Sequence, residues 1–169
     1  TREVVVSALQ GSRSGLGYIR INAYDTDFCY GDLCTVIAKG VDGIILPKVE
    51  TADQIKSVDW LVSQLEQNAD LTIGSIDIMP IIETGLGVAN VRTIAEAGTR
   101  VQRLSFGAGD YSKDMRINWT LNETEMNHAR AEIALASRAA GLNPPVDTVW
   151  VHVKDTKGCQ RSAQTVRDM

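Results

Sequence analysis

Ile76-Asp77-Ile78-Met79-Pro80-Ile81-Ile82-Glu83-Thr84-Gly85-Leu86-Gly87 is the stretch on which the fold turns. Residues 76–82 form a mainly apolar run with little strict alternation, the pattern of a parallel strand covered on both faces. The run delivers a carboxylate, Glu83, and then glycines at 85 and 87. Most glutamates are solvated surface residues. One placed directly after a buried strand is instead held rigidly and left open to a ligand.

Further apolar runs of the same kind occupy residues 18–23, 43–46, 101–106 and 148–153. Helix signals lie between them. Thr51 and Gln54 spell a capping box ahead of Ile55, Val58, Leu61, Val62 and Leu65 at helical spacing. Asn90 is placed to cap a short helix that stops at Gly98. A longer helix is expected over about 123–140, ended by Gly141 with Pro144 and Pro145 beyond. The opening stretch 3–9 is ambiguous, because Val4-Val5-Val6 favours strand and its neighbours favour helix. Residues 111–122 read as a long polar loop, either a substrate cover or a plain connector.

Repeated strand–helix alternation means a parallel α/β fold. Arg20, Asn22, Lys48, Glu50, Glu83, Asp110 and Asp155 fall at or just after the C-terminal ends of successive runs. In a (β/α)8 barrel those ends converge on one mouth, where barrel enzymes keep their chemistry. A doubly wound sheet gathers such groups at a single switch point instead. The pattern therefore favours a barrel, with residues 1–169 as one catalytic domain.

Hydrophobic residues at 44% and charged residues at 22% are ordinary for a soluble globular protein. A net charge of −4 argues against a nucleic-acid-binding face but not against an anionic ligand held by local arginines. The apolar runs are too short to cross a bilayer, and no signal-peptide pattern opens the sequence. Cys29, Cys34 and Cys159 with His128 and His152 match no zinc spacing, and the odd cysteine count fits no disulfide framework. The expectation is a reduced, cytoplasmic protein without membrane partners.

The natural partner of Glu83 is Asp110, delivered by Ser105-Phe106-Gly107-Ala108-Gly109-Asp110-Tyr111. Two hard oxygen ligands with room for water and substrate oxygens suit Mg2+, which seldom receives an all-protein cage. Asp110 could also cap the following turn, and the pair could form an acid/base couple for glycoside hydrolysis. Few aromatic residues (5%) are present to stack on a sugar. Arg20, in Ile19-Arg20-Ile21-Asn22, reads as a buried arginine in need of an anion. That anion is a substrate carboxylate or one of Glu83, Asp110 and Glu50. Lys48, in Leu46-Pro47-Lys48-Val49-Glu50, reads as a structural ion-pair residue ahead of a Schiff-base nucleophile, because nearby carboxylates raise a lysine's pKa. Gly85-Leu86-Gly87 could bring amides near a phosphate, although it lacks Rossmann and P-loop spacing.

Taken in order, Ile19-Arg20-Ile21-Asn22, Leu46-Pro47-Lys48-Val49-Glu50, Pro80-Ile81-Ile82-Glu83-Thr84 and Phe106-Gly107-Ala108-Gly109-Asp110 resemble the citrate lyase β-chain-like (HpcH/HpaI aldolase) family. Ala139-Ala140-Gly141-Leu142 and residues 147–158 add to the likeness. The family includes malyl-CoA, citramalyl-CoA and β-methylmalyl-CoA lyases. The resemblance implies a TIM barrel of which this chain carries about five central β/α units, with the first two strands and the last strand outside it. It implies Mg2+ (or Mn2+) on Glu83 and Asp110, and a substrate carboxylate on Arg20. The implied catalytic set is Arg20, Glu83 and Asp110, with Arg20, Asn22, Lys48, Glu50 and Gly109 in substrate contact.

The implied reaction cleaves or forms a 3-hydroxyacyl-CoA such as malyl-CoA or citramalyl-CoA. Its products are an acyl-CoA and a 2-oxo acid, glyoxylate or pyruvate, with coenzyme A as part of the substrate. Other readings are thioester hydrolysis, a metal-dependent aldol reaction on free 2-keto acids, and a non-catalytic piece that folds only with partner chains. The family likeness also implies a homotrimer or hexamer.

Overall fold

The computed structural model describes residues 2–98 and 100–169. The chain runs α1 (Arg2–Leu9), β1 (Tyr18–Arg20), α2 (Cys29–Val36), β2 (Gly43–Leu46), α3 (Ala52–Asn68) and β3 (Asp77–Ile82). It continues through α4 (Gly85–Ala89), α5 (Val91–Ala95), β4 (Ser105–Phe106), α6 (Ala108–Met115), a 3-10 turn (Thr124–Met126), α7 (Asn127–Ala139) and α8 (Thr156–Arg167). All strand pairs are parallel, in the order β1-β2-β3-β4. Ile19 lies opposite Ile44, Ile44 opposite Ile78, and Ile82 opposite Phe106. Strands that follow one another around the sheet without reversal have barrel order, not doubly wound order.

Ile44, Leu46, Ile78 and Ile82, on one face of the sheet, are wholly buried, while Ile45 and Met79 on the other face are half-buried. Helices cover them: Ile55, Val58 and Val62 of α3 turn inward, as do Ala129, Ile133 and Ala136 of α7. The capping box at Thr51 is present, its hydroxyl accepting from the Gln54 amide while Gln54 Oε1 accepts from the Thr51 amide. Gly141 ends α7 with φ +72, the Gly141 amide reaching Arg138 O and the Leu142 amide reaching Ser137 O in a Schellman arrangement.

Several expectations are corrected. The ambiguous opening stretch is helix α1. The segment 29–36 forms α2 through Cys29, Leu33 and Val36, one buried face at helical spacing. Half of the expected loop 111–122 belongs to α6 or directly follows it. No strand forms over 148–153. The pairing edge of β4 is taken by Val146, whose amide donates to Leu104 O and whose carbonyl accepts from the Phe106 amide, both at 2.9 Å. The fifth strand is thus a single bridge, and Val149, Val151 and Val153 remain exposed. Asp155 follows no strand; it caps α8 by accepting from the Gly158 amide.

One buried polar network was not visible in the sequence. Arg100, on the approach to β4, donates to Glu66 Oε1 at 3.0 Å, Ile76 O at 2.9 Å and Ser63 Oγ at 2.6 Å, and pairs with Asp59. Glu66 is fully buried and also accepts from the Gly74 and Ile76 amides. Burial alone would push the Glu66 pKa up, but the Arg100 bond, those amides and the Arg100 charge outweigh it and hold the pKa below its ordinary value. A carboxylate lowered in this way adds stability above its unfolded pKa, and that stability is lost as pH falls through the folded value.

Arg100→Met is expected to cost about 3–5 kcal/mol in urea unfolding at neutral pH, because it orphans a buried charge. The gap to wild type should narrow in acid, where Glu66 is protonated; a gap independent of pH would contradict the coupling. Lys48, just beyond β2, sits in the left-handed region at φ +53. Lys48→Gly is therefore expected to leave the melting temperature unchanged or higher, and Lys48→Val to cost about 1–3 kcal/mol. Equal losses from both would show that the left-handed backbone is not the constraint.

Candidate functional site

β3 ends at Ile82, and Glu83 is the next residue, 7% exposed although ionisable. Its Oε1 accepts from the Lys48 amide at 2.9 Å, the one hydrogen bond to this carboxylate among the described residues. The left-handed turn at Lys48 aims that amide across from β2, while the next amide, Val49, returns to the sheet through Ile81 O at 3.2 Å. On the other side stands Gly107. A Cβ there would lie 2.6 Å from Glu83 Oε2 and 2.7 Å from Glu83 Cβ, so the glycine is required by close packing.

Burial is the main reason that the Glu83 pKa is raised. The Lys48 amide bond pulls it down, the Asp110 charge pushes it up, and the charges of Lys48 and Arg20 pull it down again. Four residues proposed from the sequence thus share one electrostatic neighbourhood. Asp110 occupies the first turn of α6 and is exposed, so it stands on a helix start and not in a loop.

Comparison with the other buried carboxylates is instructive. Asp32, Glu66 and Glu123 each pair with an arginine, Arg2, Arg100 and Arg130 respectively. Glu83 has no ion pair among the described residues and lies within reach of the Asp110 charge as well. A buried carboxylate without a cation partner is costly. A cation between Glu83 and Asp110 would remove that cost. No group of three or more His, Cys, Asp or Glu able to hold a metal ion occurs among the described residues, so further ligands would be water and substrate oxygens.

The remaining candidates divide. Arg20 is exposed, not buried: it lies on the face of β1 opposite the buried Ile19 and Ile21, and that face is left open among the described residues. It makes no ion pair among the described residues and lines a cavity of about 330 Å³ with Asn22 and Asp32. Asn22 turns away toward α2, its backbone and side-chain amides both donating to Asp32 Oδ2 at 2.8 and 2.7 Å. Lys48 is exposed and has no ion pair within the described residues, against the structural role expected of it. Its contact with the site is its amide. The Glu50 amide donates to Gln54 Oε1 and its carbonyl accepts from Asn90 Nδ2, so Asn90 ties α5 to Glu50 and does not cap it with its side chain. Gly109 is exposed, and a Cβ there would meet only Trp119, at 3.8 Å.

The amides of Gly85 and Gly87 are not free for a phosphate. They donate to Asp114 Oδ2 at 2.8 Å and to Thr84 Oγ1 at 3.0 Å. Gly107 was read as part of the glycine stretch before Asp110, whereas Asp114 and Asp32 went unread; the i, i+4 spacing of Asp110 and Asp114 on a helix start is the signal that could have found the first of these. A larger cavity of about 530 Å³, between β4, α7 and the end of α8, contains none of the proposed site residues.

The chain is 34% identical over 170 residues to citrate lyase subunit beta of Leuconostoc mesenteroides subsp. cremoris, covering 99% of this chain and 56% of that protein. It is 30% identical over 185 residues to the L-malyl-CoA/beta-methylmalyl-CoA lyase of Cereibacter sphaeroides, covering 96% and 58%. In fold it matches malate synthase of Haloferax volcanii, solved as a magnesium/glyoxylate complex, with TM-score 0.85, 20% identity, and coverage of 99% of this chain and 54% of that one. The chain spans about half the length of the curated relatives it matches. Residues 2–169 match the family described as HpcH/HpaI aldolase/citrate lyase, and the chain belongs to that family.

Proposed function

We propose that this chain carries the cation- and oxo-acid-binding part of a CoA-ester lyase. The observation that carries the reading is Glu83, a carboxylate buried within reach of the Asp110 charge and, among the described residues, without an ion pair such as its buried counterparts have. The relatives' activities, a citrate lyase subunit and an L-malyl-CoA/beta-methylmalyl-CoA lyase, fit such a site.

Glu83 and Asp110 would hold Mg2+, or Mn2+ in its place. When bound, the ion supplies concentrated positive charge to oxygens that gain negative charge during C–C cleavage. The residues of this chain do the rest. The Lys48 amide fixes the orientation of the Glu83 carboxylate that would hold the ion. Arg20, exposed and without an ion pair among the described residues, would clasp the substrate carboxylate in a bidentate fork. In a 3-hydroxyacyl-CoA such as malyl-CoA or citramalyl-CoA, the bond between the α-carbon and the carbinol carbon breaks. Its electron pair passes to the acyl-CoA fragment as an enolate, which then takes up a proton at carbon. The hydroxyl loses its proton and becomes the carbonyl group of glyoxylate (an aldehyde) or pyruvate (a ketone). Glu50, after β2, and Gly109, after β4, would border the same mouth, where coenzyme A would enter as part of the substrate.

Glu83→Gln is expected to lower metal-dependent cleavage of a 3-hydroxyacyl-CoA by about a hundredfold or more, and EDTA to abolish it in wild type. Near-normal turnover of the variant would remove Glu83 from the reaction. Borohydride with pyruvate should leave Lys48 unmodified; an adduct there would replace this reading with Schiff-base chemistry.

A further inference from the structure

We propose that Asp114 is a positioning residue that sets the placement of Asp110 relative to Glu83, an inference that rests on the cation-site reading above. α6 carries Asp110 in its first turn and Asp114 one turn later, on the same helix face. Asp114 Oδ2 accepts from the Gly85 amide at 2.8 Å. Gly85 lies two residues beyond Glu83 and opens α4, where amides have no partner within the helix. Thr84 satisfies the Gly87 amide, and the Gly85 amide is left to α6.

The segment around Glu83 is therefore gripped from both sides of Asp110 in sequence. Gly107, just before α6, packs against the Glu83 side chain itself. Asp114, near the end of α6, holds the backbone two residues on. At the second point a Cβ on Gly85 would lie 3.5 Å from Asp114 Oδ2, ordinary van der Waals contact, and would require only the exposed Met115 side chain to shift. Ala108 and Tyr111, buried in the core, hold one side of the helix, and Asp114 ties down the exposed side that carries Asp110. Without the Asp114 anchor, that exposed side can shift relative to the Glu83 segment and carry Asp110 with it. Asp114 acts on the site through Asp110 and touches no reacting atom.

The test is Mn2+ titration of the full chain by electron paramagnetic resonance, comparing wild type, Asp114→Ala and Asp114→Asn, with metal-free thermal melts of each. Alanine is the best helix former at this exposed position, so folding is not at stake. Asp114→Ala is expected to weaken Mn2+ binding by about tenfold, the lower end of what supporting partners of metal ligands contribute. Asp114→Asn keeps an oxygen acceptor and caps helix starts as well as aspartate does, so it should bind within about threefold of wild type. A merely structural role would lower the melting temperature of Asp114→Ala and leave its Mn2+ affinity alone. Wild-type affinity in Asp114→Ala overturns the proposal and leaves the cation site standing. Asn binding as weakly as Ala also overturns it, since charge and not the bond would then matter. A wild type that binds no Mn2+ overturns both readings.

Discussion

A carboxylate kept out of water at the end of a parallel strand, without a cation of its own, is the constraint around which this site is organised. Glu83 stays buried because neighbouring backbone, at Lys48 and Gly107, closes around its side chain at the end of β3. That closure has visible requirements. Lys48 adopts a left-handed conformation that favours glycine, and the turn directs its amide at Oε1. Position 107 carries no side chain, because any Cβ would strike the carboxylate. Neither feature is needed by the sheet alone. Both follow if the orientation of Glu83 is what the local structure serves.

The same chain shows how it treats buried carboxylates that serve the fold. Glu66 receives Arg100 and two amides, and Glu123 receives Arg130, Trp119 Nε1 and Ser162 Oγ. Each is satisfied from within, as buried polar groups ordinarily are. Among the described residues Glu83 receives a single amide and no ion pair, with the Asp110 charge nearby and only the more distant charges of Lys48 and Arg20 to offset it. The contrast separates carboxylates that lock helices to strands from one that waits for a ligand. The locking set lies around α3, α7 and the strand starts, and the open one lies at the strand ends. In a barrel, stability and chemistry divide along that line.

Much of this was legible in the sequence, for identifiable reasons. Continuous apolar runs ending in Glu83, Lys48 or Arg20 mark strand ends, since burial leaves the first polar residue at the rim. The Thr51 capping box and the Gly141 stop were equally readable, because each depends on one or two neighbouring residues. What could not be read depends on distant partners. The sequence gives no hint that residues 148–153 lose their strand to Val146, since pairing on the β4 edge is decided by register. Arg20 looked buried because its neighbours are apolar, yet it lies on the face of β1 that is left open among the described residues. Lys48 looked like an ion-pair residue, whereas its contribution to Glu83 runs through a backbone amide that residue type does not reveal.

The central claim is that Glu83 and Asp110 share a cation. It is tested most directly by thermal melts of the chain with Mg2+ and glyoxylate against EDTA, in wild type and in Asp110→Asn. A ligand that binds only the folded state stabilises it by mass action, by about 2.7 kcal/mol at a hundred times its dissociation constant, and so raises the melting temperature. The account predicts an upward shift in wild type that is lost in Asp110→Asn. A cooperative wild-type melt indifferent to both ligands, or an equal shift in the variant, would contradict it.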